Sequence, residues 1–403
     1  MRAGRALFPA LAEAAETYLD SASTTQKPLP VIESVDRYHR SRTANAGRGG
    51  YGWATVLDRE IESVRARTAR FVGARPEEVV FTSGATAALN AIALAWGLSE
   101  LADGDEILYS PHDHSANVYP WLRLRDVLAR FGRRVRLIPY RVTALGEADA
   151  ADIAARITPR TRLITVCHLH HVFGAVSTLQ QLRARVDPAI LWCFDCSQSG
   201  GHLPLDVTEL GADFAVLSAH KMFGAPGTGV LYCARRVHER LTTFLPGGSS
   251  GVAVTDSGLR PTGMPHQLEG GTHNIPGILA LGAALEVLEE FGMSAIAEHN
   301  RLLTRQLIEG LRPLPGLRLL PGPAHADREI GYGIVSFALD GIGATDLGFV
   351  LAESGFLVRT GAHCVPARDA GADSVRVSTH VYTTGDDIDR FVRCVATIAS
   401  EVR

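Results

Sequence analysis

Two lysines stand out in a chain that otherwise uses arginine for positive charge. Lys27 and Lys221 are the two lysines among 40 Lys and Arg residues, so the other 38 are arginine. A GC-rich genome explains arginine on the surface, but lysine can lose its proton and act as an amine nucleophile, which arginine effectively cannot. Lys27 lies in a turn-like Thr-Gln-Lys-Pro sequence and is expected to be solvated. Lys221 is therefore the candidate nucleophile.

Two other patterns could serve the same site as Lys221. Residues 82–86, Thr-Ser-Gly-Ala-Thr, join a predicted strand to a predicted helix, where they could surround an anion or form an ordinary capped turn. Asp195 ends an apolar run, so its carboxylate could enter a ligand crevice or cap a helix. Lys221 follows Ser218 and His220, 26 residues after Asp195. An anion-binding turn, a carboxylate and a reactive amine are together what a pyridoxal phosphate enzyme requires.

Apolar runs and helical patterns alternate from about residue 77 onward. Runs that predict strands cover residues 78–82, 106–109, 135–139, 163–169, 190–195, 214–218 and 229–233, and helical patterns include 85–96 and 118–131. Near-continuous apolar runs are typical of strands buried on both faces of a mostly parallel sheet. The pattern therefore predicts an α/β fold.

The pattern changes from about residue 280. A long helix and a second one over 295–311 precede strands at 334–339, 356–360 and 374–378, with helices at 345–353 and 386–402. Thr384 before Asp386 and Asp387 predicts the start of the last helix. This region is expected to form a smaller α+β domain. Residues 246–271, rich in Gly, Ser, Thr and Pro, are too long for an ordinary connection and predict an active-site or interface segment.

Composition excludes several classes of protein. The 403 residues exceed the ~250–300 at which one core usually splits into domains. A net charge of −3 without a long basic run argues against a nucleic-acid partner. No apolar stretch approaches the ~20 residues that cross a bilayer, and the N-terminus makes a poor signal peptide. Six cysteines do not form a secreted disulfide framework, so a cytoplasmic protein is expected.

The chain resembles, over nearly its whole length, the class V aminotransferase family of fold-type I pyridoxal phosphate enzymes, and within it the SufS-like cysteine desulfurases. The matching motifs are Tyr18-Leu19-Asp20-Ser21-Ala22, Thr82-Ser83-Gly84-Ala85-Thr86, His114-x-x-Asn117, Asp195-x-x-Gln198, Ser218-x-His220-Lys221, Glu269-x-Gly271-Thr272-x-Asn274 and Arg359-Thr360-Gly361-x-His363-Cys364. The resemblance implies a large α/β domain with a mostly parallel seven-stranded sheet (31–280) and a smaller α+β domain that carries the nucleophile loop (281–403). Residues 1–30 would form an N-terminal segment associated with the small domain and the active site.

The resemblance also implies roles for individual residues. Lys221 would form the Schiff base with pyridoxal 5'-phosphate, Asp195 would pair with the pyridine nitrogen, Gln198 would meet the phenolic oxygen, and His114 would stack on the ring as a further catalytic residue. The remaining implied cofactor-binding residues are Ala85, Thr86, His171, Ser218, His220 and, across a homodimer interface, Thr272. Substrate would be bound by Arg376, Arg359 and Ala22. Arg376 suits this role because its fork can hold a carboxylate through two hydrogen bonds.

Cys364 decides the expected activity within that family. The resemblance implies that its thiolate attacks the sulfur of bound L-cysteine, which leaves L-alanine and a persulfide for transfer to an acceptor protein. Arg359 and His363 are nearby groups that could stabilise a thiolate. A buried core cysteine is the ordinary alternative, but a polar loop with Gly361 is not a core sequence. Of the other five, Cys167, Cys193, Cys233 and Cys394 are expected in the core, and Cys196 lies beside the ring-binding aspartate.

Four positions differ from the residues usual in these enzymes. His171 and Thr383 stand in place of asparagines, Ala87 in place of a glutamate and Gly47 in place of a histidine. The imidazole of His171 could donate a hydrogen bond to the phenolic oxygen as asparagine does. These differences leave open whether the substrate is L-cysteine, selenocysteine or a thioether cleaved by β-elimination in a C–S lyase.

Two other classes of protein use the same residues differently. His168, His170 and His171 with Cys193-x-x-Cys196 have zinc-like content, but residues 168 and 171 face opposite sides of a strand and a second such cysteine pair is absent. A non-catalytic relative would have no reason to retain Lys221 and Cys364 together. We therefore predict an enzyme without a metal site, with L-cysteine or a related sulfur or selenium amino acid as substrate.

Overall fold

The computed structural model describes residues 5–47, 49–248, 251–256, 258–321, 331–367 and 373–402. Its strands are β1 Thr17–Tyr18, β2 Val79–Thr82, β3 Glu106–Tyr109, β4 Arg136–Pro139, β5 Thr161–Cys167, β6 Leu191–Asp195, β7 Phe214–Ser218, β8 Gly229–Cys233, β9 Val252–Thr255, β10 Gly258–Pro261, β11 Leu317–Leu320, β12 Ile334–Leu339, β13 Phe356–Leu357, β14 Arg359–Gly361 and β15 Ser374–Ser378. Its α-helices are α1 Pro9–Ala12, α2 Leu29–Ser41, α3 Gly52–Phe71, α4 Ala85–Ile92, α5 Leu98–Glu100, α6 Tyr119–Arg130, α7 Ala150–Arg156, α8 Gln180–Arg183, α9 Ser199–His202, α10 Ile275–Phe291, α11 Met293–Leu311, α12 Ala344–Glu353 and α13 Gly385–Glu401. None of the described helices is long and apolar enough to cross a bilayer.

A seven-stranded sheet forms the larger part of the fold. Its strand order is β2-β8-β7-β6-β5-β3-β4, with β8 antiparallel to both neighbours and the other adjacent pairs parallel. Every residue of β6, β7 and β8 is buried, as expected for strands covered on both faces. The predicted α/β fold with a large, mostly parallel seven-stranded sheet is confirmed.

Most predicted elements have nearly the expected bounds, and three differ. The strand predicted over 356–360 is divided into β13, which pairs with β1, and β14, which pairs with β15 in another sheet. The strand predicted over 163–169 ends at Cys167, because Leu169 leaves the ladder and pairs singly with Val176. The helix predicted over 85–96 is α-helical only to Ile92 and continues as a wider π-type turn over Ala93–Gly97. A side chain at Gly97 would collide with Leu124 of α6, so glycine allows the two elements to approach closely.

A smaller antiparallel sheet follows, in the order β11-β12-β15-β14. Helices α11 and α13 pack against each other, and the core around this sheet includes Phe337 and Phe391. Thr384 begins α13 as predicted: its hydroxyl accepts from the Asp387 amide, and the Asp387 carboxylate accepts from the Thr384 amide at 2.9 Å. Such reciprocal caps satisfy amides that would otherwise lack partners.

The chain's first strand lies against this smaller sheet region. β1 pairs in parallel with β13, and Asp20 forms a single bridge with Ser378 of β15. The stretch predicted as an irregular segment over 246–271 contains an antiparallel hairpin, β9 and β10, which the sequence pattern did not reveal. The hairpin lacks apolar alternation because both faces are mainly exposed, with Val254 85% exposed.

Candidate active site

A cavity of about 200 Å³ lies where the carboxyl ends of β5, β6 and β7 meet the smaller sheet. It is lined by thirteen of the fourteen predicted site residues: Ala22, Ala85, Thr86, His114, His171, Asp195, Gln198, Ser218, His220, Lys221, Arg359, Cys364 and Arg376. Thr272 lies elsewhere, exposed and on the lining of two other cavities. The fold therefore brings together residues that are up to 354 positions apart, from Ala22 to Arg376.

The amine and the carboxylate come from neighbouring strand ends. Asp195 is the last residue of β6 and is 4% exposed, and its Oδ1 accepts from the Ser197 amide at 3.0 Å. Lys221 closes a 3₁₀ turn directly after β7 and is half-buried. Burial lowers the pKa of Lys221, although the Asp195 carboxylate acts in the opposite direction. A lowered amine pKa increases the fraction of the neutral, nucleophilic form.

The carbonyl that precedes Lys221 is held by the N-terminal segment. The hydroxyls of Thr24 and Thr25 each donate to the His220 oxygen at 3.1 Å, and Lys27 Nζ donates to it at 2.9 Å. The expectation of a solvated Lys27 is wrong: its side chain lies next to the turn that carries Lys221, and burial lowers its pKa to about 7. Both lysines of this chain therefore lie at the same place in the fold.

The anion-binding turn begins with a glycine in an unusual conformation. Gly84 has φ of 151° and precedes α4, whose first turn has no capping side chain. A Cβ on Gly229 of β8 would lie 2.5 Å from the Gly84 Cα, so glycine there lets the turn approach the sheet. Uncapped amides at a helix N-terminus can bind a phosphate group.

Two histidine rings meet at the cavity. The rings of His114 and His171 are edge to face, with centroids 5.1 Å apart. His114 Nδ1 accepts from the Ala116 amide at 3.1 Å, and burial, followed by the charge of Lys221, lowers its pKa to about 4. The ring of His114 is therefore neutral near pH 7, with its proton on Nε2.

His171 uses its donor within the chain. Its Nε2 lies 3.0 Å from the carbonyl oxygen of His363, and a carbonyl can only accept, so Nε2 carries the proton. Burial lowers the pKa of His171 well below its ordinary value, and the neutral ring offers Nδ1 as an acceptor. The donor that the sequence analysis expected at the phenolic oxygen is thus engaged by the Cys364 segment.

Arg376 and Arg359 share a carboxylate that the sequence analysis did not assign. Arg376 donates to the His171 carbonyl at 3.0 Å and to Asp20 Oδ1 at 3.2 Å, and Asp20 Oδ2 lies 3.7 Å from Arg359. These bonds use two of the five N–H groups of Arg376. The sequence feature that could have indicated Asp20 as a site residue is its position inside the Tyr18–Ala22 motif. Ser23 contributes too, by accepting from Arg359 at 2.7 Å.

Cys364 is exposed at this cavity, unlike the other cysteines of the chain. Cys167, Cys193 and Cys233 are buried as expected, although Cys167 also lines the cavity. Cys196 is buried as well, and Cys394, which was expected in the core, is half-buried. His363 does not supply a positive charge to the thiol, because burial lowers its pKa to about 3. Arg359 and Arg376 are the cationic side chains that line the cavity with Cys364 and Lys221.

A buried carboxylate behind His114 was also missed. Asp113 accepts from Asn117 Nδ2 at 2.8 Å and from the Cys167 amide at 3.0 Å. Burial raises the pKa of Asp113 to about 8. The sequence feature that could have indicated Asp113 is the His114-x-x-Asn117 motif. Asn117 donates a hydrogen bond to Asp113, the residue before the histidine, and so fixes the turn.

The residues present fit pyridoxal phosphate. Four buried polar atoms at the cavity have no hydrogen-bond partner within the described chain: Gln198 Oε1, His171 Nδ1, His363 Nδ1 and Arg376 Nε. Buried polar atoms are normally paired, so these four indicate a polar ligand. The cofactor's phosphate would be bound by the uncapped turn at Ala85, its pyridine nitrogen would pair with the buried Asp195, and its aldehyde would react with Lys221. Among the described residues, no three His, Cys, Asp or Glu side chains are grouped as metal ligands.

Known proteins with similar sequences and folds are consistent with this site. The probable cysteine desulfurase of Methanothermobacter thermautotrophicus is 33% identical over 92% of this chain and 92% of its own length. The cysteine desulfurase of Klebsiella pneumoniae subsp. pneumoniae is 35% identical over 93% of this chain and 91% of its own length. The apo structure of cysteine desulfurase from Thermococcus onnurineus superposes with a TM-score of 0.89, at 29% identity over 98% of this chain and 97% of that one. The family model for class-V aminotransferases matches residues 17–391, and the chain belongs to that family.

Proposed function

We propose that this chain is a pyridoxal phosphate-dependent cysteine desulfurase that converts L-cysteine to L-alanine and retains the sulfur as a persulfide on Cys364. The observation that carries the proposal is the exposed Cys364 thiol on the cavity that also contains Lys221, Asp195 and Arg376. The relatives named cysteine desulfurase support the same assignment.

Substrate binding is assigned to the arginine side of the cavity. Arg376 is 3% exposed and keeps three N–H groups that are free of the bonds to His171 and Asp20. A buried guanidinium fork binds a carboxylate strongly and in a fixed orientation. Bound pyridoxal phosphate would supply an electron sink for the bond changes at the substrate's carbon atoms.

The sulfur transfer is assigned to Cys364. Its thiolate sulfur forms a bond to the substrate sulfur, the Cβ–S bond of the substrate breaks, and the electron pair stays with Cβ. That carbon takes up a proton and the product is alanine, while the sulfur stays on Cys364 as a persulfide. His114 is neutral near pH 7 and can move a proton at Nε2. Exposure of Cys364 allows the thiol of an acceptor protein to remove the sulfur.

The test compares wild type with Cys364→Ser, using Cys394→Ser on α13 as the matched control. Serine stays protonated near neutral pH and is a poor nucleophile toward sulfur, so alanine formation should nearly disappear while cofactor absorbance is unchanged. Cys394→Ser should behave as wild type. Mass spectrometry of wild type after L-cysteine, without reductant, should find one added sulfur on the peptide that contains Cys364.

Formation of pyruvate in place of alanine, with Cys364→Ser nearly as active as wild type, would overturn the proposal. That result would assign a β-eliminating C–S lyase, since elimination needs no thiol nucleophile. Faster turnover of selenocysteine than of cysteine would instead change the substrate and keep Cys364 as a residue of the site.

We also propose a homodimer in which Thr272 of each chain completes the site of the other. Thr272 is exposed and lies outside its own chain's cavity, within the Glu269–Asn274 motif. Sedimentation should give a dimer at assay concentrations. Mixing inactive Lys221→Ala with a Thr272→Arg variant should restore part of the activity, because mixed dimers contain one intact site. An active monomer would contradict this assignment.

A further inference from the structure

The backbone around Cys364 has a conformation that non-glycine residues rarely adopt. His363 has φ of 51° and Cys364 has φ of 64°, two consecutive residues in the left-handed region. A residue in this region is energetically unfavourable and persists only where surrounding contacts hold it. The contacts that hold this pair therefore determine where the thiol lies.

Hydrogen bonds from both sides of the cavity hold the segment. The Ser115 amide donates to the Cys364 carbonyl at 2.9 Å, and His171 Nε2 donates to the His363 carbonyl at 3.0 Å. The ring of His363 meets the Ser374 hydroxyl of β15 at 2.9 Å. The carbonyls of His363 and Cys364 therefore both accept hydrogen bonds from the side of the cavity that carries the large sheet. Of the two donors, Ser115 uses its backbone amide and His171 uses its side chain.

The histidine itself is held firmly. His171 is 3% exposed, its ring stacks on that of His170 with centroids 5.0 Å apart, and its own carbonyl accepts from Arg376 at 3.0 Å. The ring therefore cannot turn away from the His363 carbonyl without breaking packing on both sides. One residue thus contacts the arginine assigned to the substrate and the segment that carries the thiol.

The length of the side chain is what allows this contact. A histidine Nε2 lies one bond farther from the backbone than an asparagine amide nitrogen, whose position matches Nδ1. Glutamine places its amide nitrogen near the Nε2 position. The bond to His363 is therefore available to histidine or glutamine at residue 171, and out of reach of asparagine.

We propose that His171 is a positioning residue that fixes Cys364 at the cavity through the His363 carbonyl. This rests on the proposed function only in assigning Cys364 as the nucleophile; the contact itself exists whatever the reaction. His171 thereby connects the cofactor side of the cavity to the thiol, a connection that a shorter side chain would lack.

The experiment uses the holoenzyme with four variants. His171→Phe keeps a ring without a donor, His171→Gln keeps the donor, His171→Asn shortens it, and His168→Phe removes another buried histidine whose ring packs against Phe194. Three readouts are taken: cofactor absorbance, hydrogen–deuterium exchange of the peptide that covers residues 361–367 without substrate, and steady-state kinetics with L-cysteine. The exchange readout does not depend on turnover.

In His171→Phe and His171→Asn the 361–367 peptide should exchange up to about tenfold faster, as expected for loss of one hydrogen bond. Because the thiol loses its position, kcat should fall about 10- to 100-fold while KM changes less than about twofold. His171→Gln should recover most of the exchange protection and of kcat. His168→Phe should leave the exchange of 361–367 at the wild-type rate.

Wild-type exchange of 361–367 in both His171→Phe and His171→Asn would overturn the inference. So would equal behaviour of His171→Gln and His171→Phe, since the ring and not the donor would then matter. Unfolding of His171→Phe would leave the decision to the Asn and Gln pair. If Cys364→Ser retains alanine formation while the exchange pattern is as expected, the proposed function fails and the positioning contact stands.

Discussion

The two ends of the cavity are built in different ways. At the cofactor end, Asp195 and Ser218 are the last residues of adjacent parallel strands, buried within the large sheet. At the nucleophile end, Cys364 is an exposed residue of a loop that is held by single hydrogen bonds. The first end is fixed by the sheet ladder, and the second by contacts between distant segments.

Both ends nevertheless contain a left-handed residue that is not glycine. Within the described residues these are Phe223, His363 and Cys364, and Phe223 lies two positions after Lys221. The Phe223 amide donates to the Thr25 hydroxyl at 2.9 Å, as the Cys364 segment is held by Ser115 and His171. Unfavourable backbone conformations at functional sites need such external contacts. At the cofactor end, the left-handed residue Phe223 is held by a hydrogen bond to Thr25. At the nucleophile end, the two left-handed residues are held by hydrogen bonds from Ser115 and His171.

The cofactor end depends on a single amine, so Lys221→Ala should have the largest effect. Without Lys221 no amine is placed to form an imine, because Lys27 is bound to the His220 carbonyl. We expect no cofactor to become covalently fixed by borohydride and no detectable turnover, while alkylation of Cys364 continues. Peptide mass spectrometry after reduction measures this. Cofactor fixed on Lys27 would show that the amine has been wrongly assigned.

The anion-binding turn depends on a buried ion pair. Glu269 accepts from two Arg65 nitrogens at 2.7 and 3.0 Å and from the Phe81 amide at 2.7 Å, within the strand that leads into the turn. Glu269→Gln should lower the free energy of unfolding by about 3–5 kcal/mol, because the buried Arg65 charge loses its buried partner and keeps only the exposed Glu62. The exposed partner of Arg65 gives the control: Glu62→Gln should cost less than about 1 kcal/mol. Urea denaturation measures both, and equal losses would contradict the distinction.

The same pair predicts a pH dependence at the cofactor end. Burial alone would raise the pKa of Glu269, but His266 and Arg65 lower it from its ordinary 4.5 to about 2. Because the folded pKa is the lower one, the stabilisation is complete above pH 4.5 and is lost as the pH falls toward 2. Wild type should therefore lose stability over this range more steeply than Glu269→Gln. Parallel curves in urea titrations at pH 5 and pH 3.5 would exclude this contribution.

The nucleophile end depends on orientation of the substrate, which Arg376→Lys should weaken. Lysine retains the charge but loses the fork, so hydrogen bonds worth about 1.5–3 kcal/mol are lost. This corresponds to a rise in KM for L-cysteine of about 10- to 100-fold, with unchanged cofactor absorbance. Arg390→Lys, on the exposed side of α13, is the control and should retain the wild-type KM. An unchanged KM for Arg376→Lys would place the carboxylate elsewhere.

The smallest effect is expected where contacts are redundant. Lys27→Met removes one donor from the His220 carbonyl, but the hydroxyls of Thr24 and Thr25 remain. Turnover should change by less than about threefold, as for the loss of one of several hydrogen bonds. A loss as large as that of Arg376→Lys would show that Lys27 acts in the chemistry.

Lys27 also gives a pH signature at alkaline pH. Burial lowers its pKa from 10.5 to about 7 in the folded protein, so the unfolded chain binds more protons between these values. The stability of wild type should therefore rise with pH from 7 to 10.5, and this rise should be smaller in Lys27→Met. Denaturation midpoints at pH 7 and pH 9.5 provide the comparison.

The sequence by itself determined the strands that form the cofactor end of the cavity. Apolar runs that suit strands buried on both faces predicted β6, β7 and β8 nearly to the residue, and Asp195 and Ser218 are the last residues of two of these strands. The scarcity of lysine drew attention to Lys221, and the loop composition around Cys364 distinguished it from core cysteines. The strand bounds and the exposure of Cys364 agree with the structure because both depend on local sequence.

The tertiary structure alone decided which distant segments meet. The carboxylate that joins Arg376 to Arg359 is Asp20, the donor that holds the Cys364 segment is His171, and Lys27 lies beside Lys221. These contacts join residues from 192 to 356 positions apart, and no local pattern encodes them. Periodicity reports which face of an element is buried. Which side chains converge at a cavity depends on how the two sheets and the N-terminal segment pack together.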